Sequence, residues 1–153
     1  MLKVVVIYDS KYGNTKQVGE EIIAGLKDIM DTQANMSEVD QINFDDVIAA
    51  DAFFIGSPNH FGKATRSIRK FIDELGKINL NRIPVAVFDT YIGGDFEKTV
   101  KKMEKQLIEK VPALKVITPG LSIRVKGARG PVPEEELTKS RQFGVKFGEA
   151  LKG

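Results

Sequence analysis

The chain has no cysteine, so disulfides, thiol catalysis and cysteine-ligated iron–sulfur clusters are excluded, and any redox chemistry must come from a bound cofactor. Histidine is nearly absent too. The single His60 removes histidine-rich zinc sites, no ordered carboxylate spacing replaces them, and no metal is expected. No run approaches the roughly 20 apolar residues needed to cross a bilayer, and Met1 begins a strand-like segment without a signal-peptide pattern. A cytoplasmic protein with no membrane insertion is the expectation. Concentrated charge of one sign is also lacking: the net charge is +2 with Lys and Arg spread along the chain, which gives no nucleic-acid footprint. Internal repeats, low-complexity segments and linkers are missing as well, so residues 1–153 read as one domain. At this length about 70% of the unfolded surface is buried on folding, enough for a full core.

What the chain does have begins at Ser10-Lys11-Tyr12-Gly13-Asn14-Thr15, which follows the apolar run Leu2 to Tyr8 and opens into an amphipathic segment. A strand, a hydroxyl- and glycine-bearing turn and a helix N-terminus together make an anion cradle. Backbone N–H groups there have no intrahelical partner, and the helix dipole adds partial positive charge, so a phosphate dianion is well placed. Ser10 and Thr15 add hydroxyls, and Gly13 lets the backbone approach closely. The turn lacks G-x-x-x-x-G-K-[ST] and G-x-G-x-x-G, which argues against a nucleoside triphosphatase and a dinucleotide fingerprint. The plainer alternative is an ordinary strand-to-helix turn with Asn14 or Thr15 as N-cap.

Strands and helices alternate along the rest. Leu2 to Tyr8 is a nearly continuous β-branched run, as in a strand covered on both faces. Val18, Ile22, Leu26 and Ile29 give one apolar face to a helix from about Thr15 to Met30. Ala34 to Val39 is a weaker strand, Phe44 to Ala50 a short helix, and Ala52 to Gly56 another buried strand. Ala64, Ile68, Phe71, Ile72 and Leu75 mark a long helix with Gly76 as its C-terminal cap. Ile83 to Phe88 is a fourth strand, and Phe96, Val100, Met103 and Leu107 mark a helix stopped near Pro112. Leu114 to Thr118 and Leu121 to Val125 read as one final strand bent by Pro119-Gly120, before a last helix from about Pro133 to Leu151.

This pattern predicts an α/β fold, a doubly wound five-stranded parallel sheet with helices on both faces, because parallel crossovers need long connections. Ligands of such sheets sit beyond the carboxyl ends of the strands, where strand order reverses. The loops predicted at that edge are 9–15, 57–63 and 90–95. The second, Ser57-Pro58-Asn59-His60-Phe61-Gly62, offers an imidazole, an aromatic ring and an amide. The third, Thr90 to Asp95, offers Tyr91 beside Gly93 and Gly94. A flat aromatic ligand with a phosphate tail fits, its tail in the first loop and its ring between the other two. Alternatively Phe61 plugs the core, His60 is an exposed loop residue, and Tyr91 covers a helix end.

On these residues the chain resembles the short-chain flavodoxins and related FMN-binding flavodoxin-like proteins over essentially its whole length. Their phosphate loop, T/S-x-T/S-G-x-T, is matched at Ser10, Gly13 and Thr15, with Tyr12 in place of the usual hydroxyl residue. Gly56-Ser57-Pro58-x-x-Phe61-Gly62 resembles the second flavin loop, and Thr90 to Asp95 the third. The resemblance implies sheet order 2-1-3-4-5 and non-covalent FMN. Its contacts would come from Ser10, Lys11, Tyr12, Gly13, Asn14 and Thr15, then Ser57 to Gly62, then Thr90, Tyr91, Gly93, Gly94 and Asp95. Tyr91 is the expected outer stacking ring, with Asn59, His60 and Phe61 on the inner side and flavin edge. The implied function is a carrier of single electrons between a reductase and acceptor proteins, acting as a monomer or weak dimer. The second loop also resembles the NAD(P)H-dependent quinone reductases of the superfamily, which supplies the alternative.

One local feature departs from the acidic habit of flavodoxins. Residues 9–16, 57–66 and 90–98 hold five basic side chains (Lys11, Lys16, Lys63, Arg66, Lys98) against three acidic ones (Asp9, Asp95, Glu97). That balance predicts a less negative potential for the second electron, and the Lys63, Arg66, Arg69 and Lys70 cluster predicts partners with acidic docking surfaces.

Overall fold

Strand β1, Leu2–Tyr8, is an inner strand of the sheet because its β-branched run is apolar on both sides. Its side chains alternate between two cores: Val5 and Ile7 face one cluster, Val4 and Val6 the other. The computed structural model describes all 153 residues. After β1 come α1 (Asn14–Ile29), β2 (Thr32–Glu38), α2 (Phe44–Ile48), β3 (Ala52–Pro58) and α3 (Arg66–Leu75). The chain closes with β4 (Pro84–Tyr91), α4 (Lys98–Lys110), β5 (Lys115–Val116), β6 (Leu121–Arg124) and α5 (Glu134–Lys152). All pairings are parallel, in the order β2-β1-β3-β4-β5, as expected.

The final strand is interrupted, not merely bent. Its two pieces, β5 and β6, pair with opposite ends of β4: Pro84 opposite Lys115, and Phe88 opposite Leu121. Between them Gly120 runs so close to β4 that a Cβ there would strike the Val87 carbonyl. Its N–H leaves the ladder and donates to Glu104 Oε2 at 2.8 Å.

Two layers of helices cover the sheet. Val5, Ile7, Phe53, Ile55, Val85 and Val87 pack beneath α3 and α4, while Phe54, Ala86 and Phe88 pack beneath α1 and α5. Helices α1 and α5 touch backbone to backbone: a Cβ on Gly25 would collide with the Arg141 carbonyl, and one on Gly144 with the Ile22 carbonyl. Arg141 then bridges the pair with two 3.0 Å bonds to the Asp28 carboxylate. Because β1, β3, β4 and β6 are parallel, the loops that follow all four emerge at one edge. No helix is long and apolar enough to cross a membrane.

Candidate functional site

The first loop turns at Gly13, whose φ of 93° lies in the left-handed region that disfavours any side chain. Ser10 holds the turn: its Oγ accepts from Gly13 N at 3.1 Å and from Lys16 N at 3.4 Å. Both expected N-caps are therefore inside the helix, and the capping side chain is Ser10. Its hydroxyl proton remains free, since both bonds use the oxygen as acceptor. The backbone N–H groups of Lys11, Tyr12, Asn14 and Thr15 find no acceptor within the protein. These unspent donors at the start of α1 suit a phosphate.

Thr15 is buried, and its hydroxyl meets that of Thr90 at 3.0 Å, tying the first loop to the end of β4. One hydroxyl of the pair donates to the other, so one O–H is left over. Both residues line a cavity of about 180 Å³, together with Ser10, Asn59, His60 and Ile92.

In the second loop Ser57 is fully buried, donating to the Pro58 carbonyl at 2.8 Å and accepting from Thr65 N at 3.0 Å. Its role here is internal. Pro58 and Asn59 line the cavity. Asn59 clasps the third loop: its amide donates to Asp95 Oδ2 at 2.7 Å, and Thr99 donates to its Oδ1 at 2.6 Å. Bonds from Lys98 and Asn59 hold the Asp95 carboxyl below the usual carboxylate range. His60 and Lys63 exchange backbone bonds of 2.8 and 3.2 Å. The residues between them, Phe61 at φ 54° and Gly62 at φ 84°, form a turn with both central residues left-handed. Phe61 is 99% exposed, which excludes a plug for the core, and its ring stands outside the cavity wall.

In the third loop Tyr91 lines the cavity, but its ring is buried, packed edge-on against Phe96 with centroids 5.9 Å apart. Burial and then the Glu136 carboxylate push its phenol pKa up. The apolar side chain that this loop exposes at the cavity is Ile92, half accessible and not singled out by the sequence. Gly93, at φ 74°, lines a neighbouring cavity of about 540 Å³ on the far side of Tyr91, and Gly94 lines neither.

Beneath this loop lies Asp89, buried with no accessible surface. Its carboxylate accepts from Val100 N at 3.0 Å and Ser122 Oγ at 2.7 Å, and Ser122 Oγ accepts from Glu97 N at 2.9 Å. Burial raises its pKa to about 6, against the pull of those two bonds. The network fixes where α4 begins, and so where the third loop ends. A fourth loop, after β6, also reaches the cavity: Val125 and Ala128 line it, and Asn14 Nδ2 donates to the Ala128 carbonyl at 3.0 Å.

Comparison with known proteins identifies this arrangement, since the family model described as "Flavodoxin domain" matches residues 5–124. The chain belongs to the flavodoxin family. The flavodoxin of Aquifex aeolicus is 35% identical over 75 residues, 49% of this chain and 40% of that protein. The flavo-diiron protein FprA2 of Clostridium acetobutylicum is 27% identical over 154 residues, 95% of this chain and 36% of that one. The chain thus spans well under two thirds of the length of these curated relatives. A solved flavodoxin from the domain Archaea superimposes with a TM-score of 0.82 at 25% identity, covering 99% of this chain and 100% of that one. The doubly wound sheet and its order are those of a flavodoxin.

Proposed function

We propose that this flavodoxin-family chain binds FMN non-covalently and carries single electrons between a reductase and acceptor proteins in the cytoplasm. The observation that supports this most is the meeting of unspent N–H and O–H donors from two loops at one cavity. The free N–H groups of Lys11, Tyr12, Asn14 and Thr15, the Ser10 hydroxyl and the leftover O–H of the Thr15–Thr90 pair suit a phosphate monoester. Pro58, Asn59, His60 and Ile92 continue the wall toward the outer rim, where a flat ring fits. When bound, FMN supplies the redox chemistry that a chain without cysteine lacks. The protein's part is to hold the phosphate, to clasp the second and third loops together through Asn59, and to leave an edge open.

The partners we propose are redox proteins with acidic docking surfaces. Asp95 and Glu97, two of the three acidic side chains near the loops, are paired with Lys98 at 3.0 Å and Lys101 at 3.7 Å. Lys63, Lys102 and Arg66 form no ion pair and stay free around the second loop. A small carrier with an exposed cofactor edge acts as a monomer or weak dimer.

Anaerobic stepwise reduction of the FMN-loaded protein, followed by absorbance, tests the reading. Two resolved one-electron steps are expected. A single two-electron conversion, with steady NADH or NADPH oxidation in the presence of a quinone, would replace the carrier by a quinone reductase.

A further inference from the structure

The fourth loop carries the inference. Gly130 N donates to the Gly127 carbonyl at 2.9 Å, which closes Gly127–Gly130 into a tight turn projecting Ala128 and Arg129. Three contacts seat that turn on the first loop. Asn14 Nδ2 donates to the Ala128 carbonyl at 3.0 Å. Gly130, at φ 87°, leaves the room that Asn14 Oδ1 needs, since a Cβ there would lie 2.5 Å from it. The Arg129 guanidinium lies 5.3 Å from the centre of the Tyr12 ring, and Lys11 Nζ lies 5.4 Å from the same ring.

A half-exposed tyrosine that gathers two cations at the mouth of an anion cradle is an electrostatic device. Neither Lys11 nor Arg129 forms an ion pair with a carboxylate, so both charges remain available. Lys11, Tyr12 and Ala128 themselves line the cavity. The position at which the family's phosphate loop carries a hydroxyl is thus used here to position charge.

We infer that the Gly127–Gly130 turn is a fourth arm of the cofactor site, and that Arg129, held on the Tyr12 ring beside Lys11, supplies positive charge to the phosphate of FMN. The inference rests on the FMN reading above. It makes the phosphate end of the site cationic, so that affinity for FMN falls with salt while affinity for riboflavin, which lacks the phosphate, does not. Arg129 acts as a long-range positioning and charge-supplying residue, and Tyr12 as the platform that holds it.

The test titrates the apo form of the full chain with FMN and with riboflavin, following quenching of flavin fluorescence. Measurements at ionic strengths of about 0.01 M and about 0.15 M span screening lengths from roughly 30 to roughly 8 Å. Arg129→Gln, at an exposed position, is expected to weaken FMN binding roughly fivefold at low salt, from one charge acting on a dianion at about 9 Å in a water-like dielectric. Riboflavin affinity should be unchanged, and the salt dependence for FMN should flatten. Tyr12→Ala should lose a similar factor, and Tyr12→Phe, which keeps the ring, should restore it. Wild-type FMN affinity in Arg129→Gln, or equal losses for FMN and riboflavin, would overturn the inference while leaving FMN binding in place. Failure of the wild-type chain to bind FMN at all would overturn both readings together.

Discussion

Asp89→Asn should make the protein more stable at neutral pH, by an amount that grows up to about pH 6 and then stays constant. In the folded protein the Asp89 carboxyl has no accessible surface and its pKa stands at about 6, against an ordinary value of 3.8. Below the ordinary value it is protonated in both folded and unfolded chains and contributes no pH dependence. Between that value and about 6 the folded state holds the proton while the unfolded state has released it, so the wild type loses stability as pH rises. Above about 6 the loss is complete and constant. Two pH units of displacement correspond to about 3 kcal/mol. Asparagine removes the charge, keeps one bond and reverses the other: Oδ1 accepts from Val100 N, and Nδ2 donates to the second lone pair of Ser122 Oγ, whose own proton must turn to another acceptor. Urea unfolding of both apo proteins across the range from acid to mildly alkaline pH reads the difference directly. The gap in favour of the variant should widen by about 3 kcal/mol on going from acid to neutral pH and then level off. A gap that is constant, or that narrows as pH rises, would refute the claim that burial outweighs the hydrogen bonds to Asp89.

Gly144→Ala should destabilise by about 3 kcal/mol, at the upper end for overpacking, because its Cβ meets the Ile22 backbone carbonyl and no side chain can yield; urea unfolding measures it. Phe61→Asn should cost no stability and gain up to about 1 kcal/mol, since the wild-type ring is fully exposed and its backbone is left-handed; a loss in thermal unfolding would show a packing role for the ring. Lys63→Glu, a change of two charge units beside the second loop, should move the midpoint potential of the second electron roughly 40 to 140 mV more negative, taking about 10 Å and effective dielectric constants of about 80 to 20. Spectroelectrochemistry of the FMN-loaded variant reads that shift.

The fold was legible wherever burial is written into composition. The β1 and β3 runs announce two-sided strands, and the stripes of α1, α3 and α5 announce their inner faces. Where partners decide, the sequence was less informative. Strand β2 begins at Thr32, ahead of the Ala34 expected, because β1 supplies the ladder there, with Leu2 opposite Thr32 and Lys3 opposite the polar Gln33. Phe96 reads as the first position of an apolar helical stripe, yet α4 starts at Lys98 and Phe96 is more than half exposed. The cause is non-local: Glu97 sits at φ 62° with its N–H bonded to Ser122, and Asp89 takes the Val100 N–H. Gly76 does end α3, but in a right-handed conformation, φ −66°. What requires glycine there is the end of α4, whose Lys110 carbonyl would lie 2.5 Å from a Cβ.

The site was legible at the level of loops and much less at the level of side chains, and the reason is one of geometry. Parallel topology fixes which loops share an edge, so three segments could be named from strand order alone. It says nothing of which way a side chain leaves its loop. Ser57, Phe61 and Tyr91 are all expected as ligand contacts, Tyr91 as the outer stacking ring and Phe61 on the inner side, yet one is sealed inside its own loop, one stands in solvent and one turns its ring onto Phe96. The same topological rule, carried one strand further, would have found the fourth loop. Val125 to Pro131 follows a strand that ends at the same edge, and Gly127-x-x-Gly130-Pro131 marks a tight turn. Breaking the final strand at Gly120 shifts its register on β4 by two residues, so that Ile123 rather than Leu121 lies opposite Thr90 and Arg124 rather than Ser122 opposite Tyr91. An uninterrupted strand would have to keep the register begun at Lys115 opposite Pro84, with the close crossing at Val87 still in its way. The interruption that looks like a defect in the sheet is therefore the step that sets which residues of the final strand reach the loop edge, and so where the Asn14-bound turn begins.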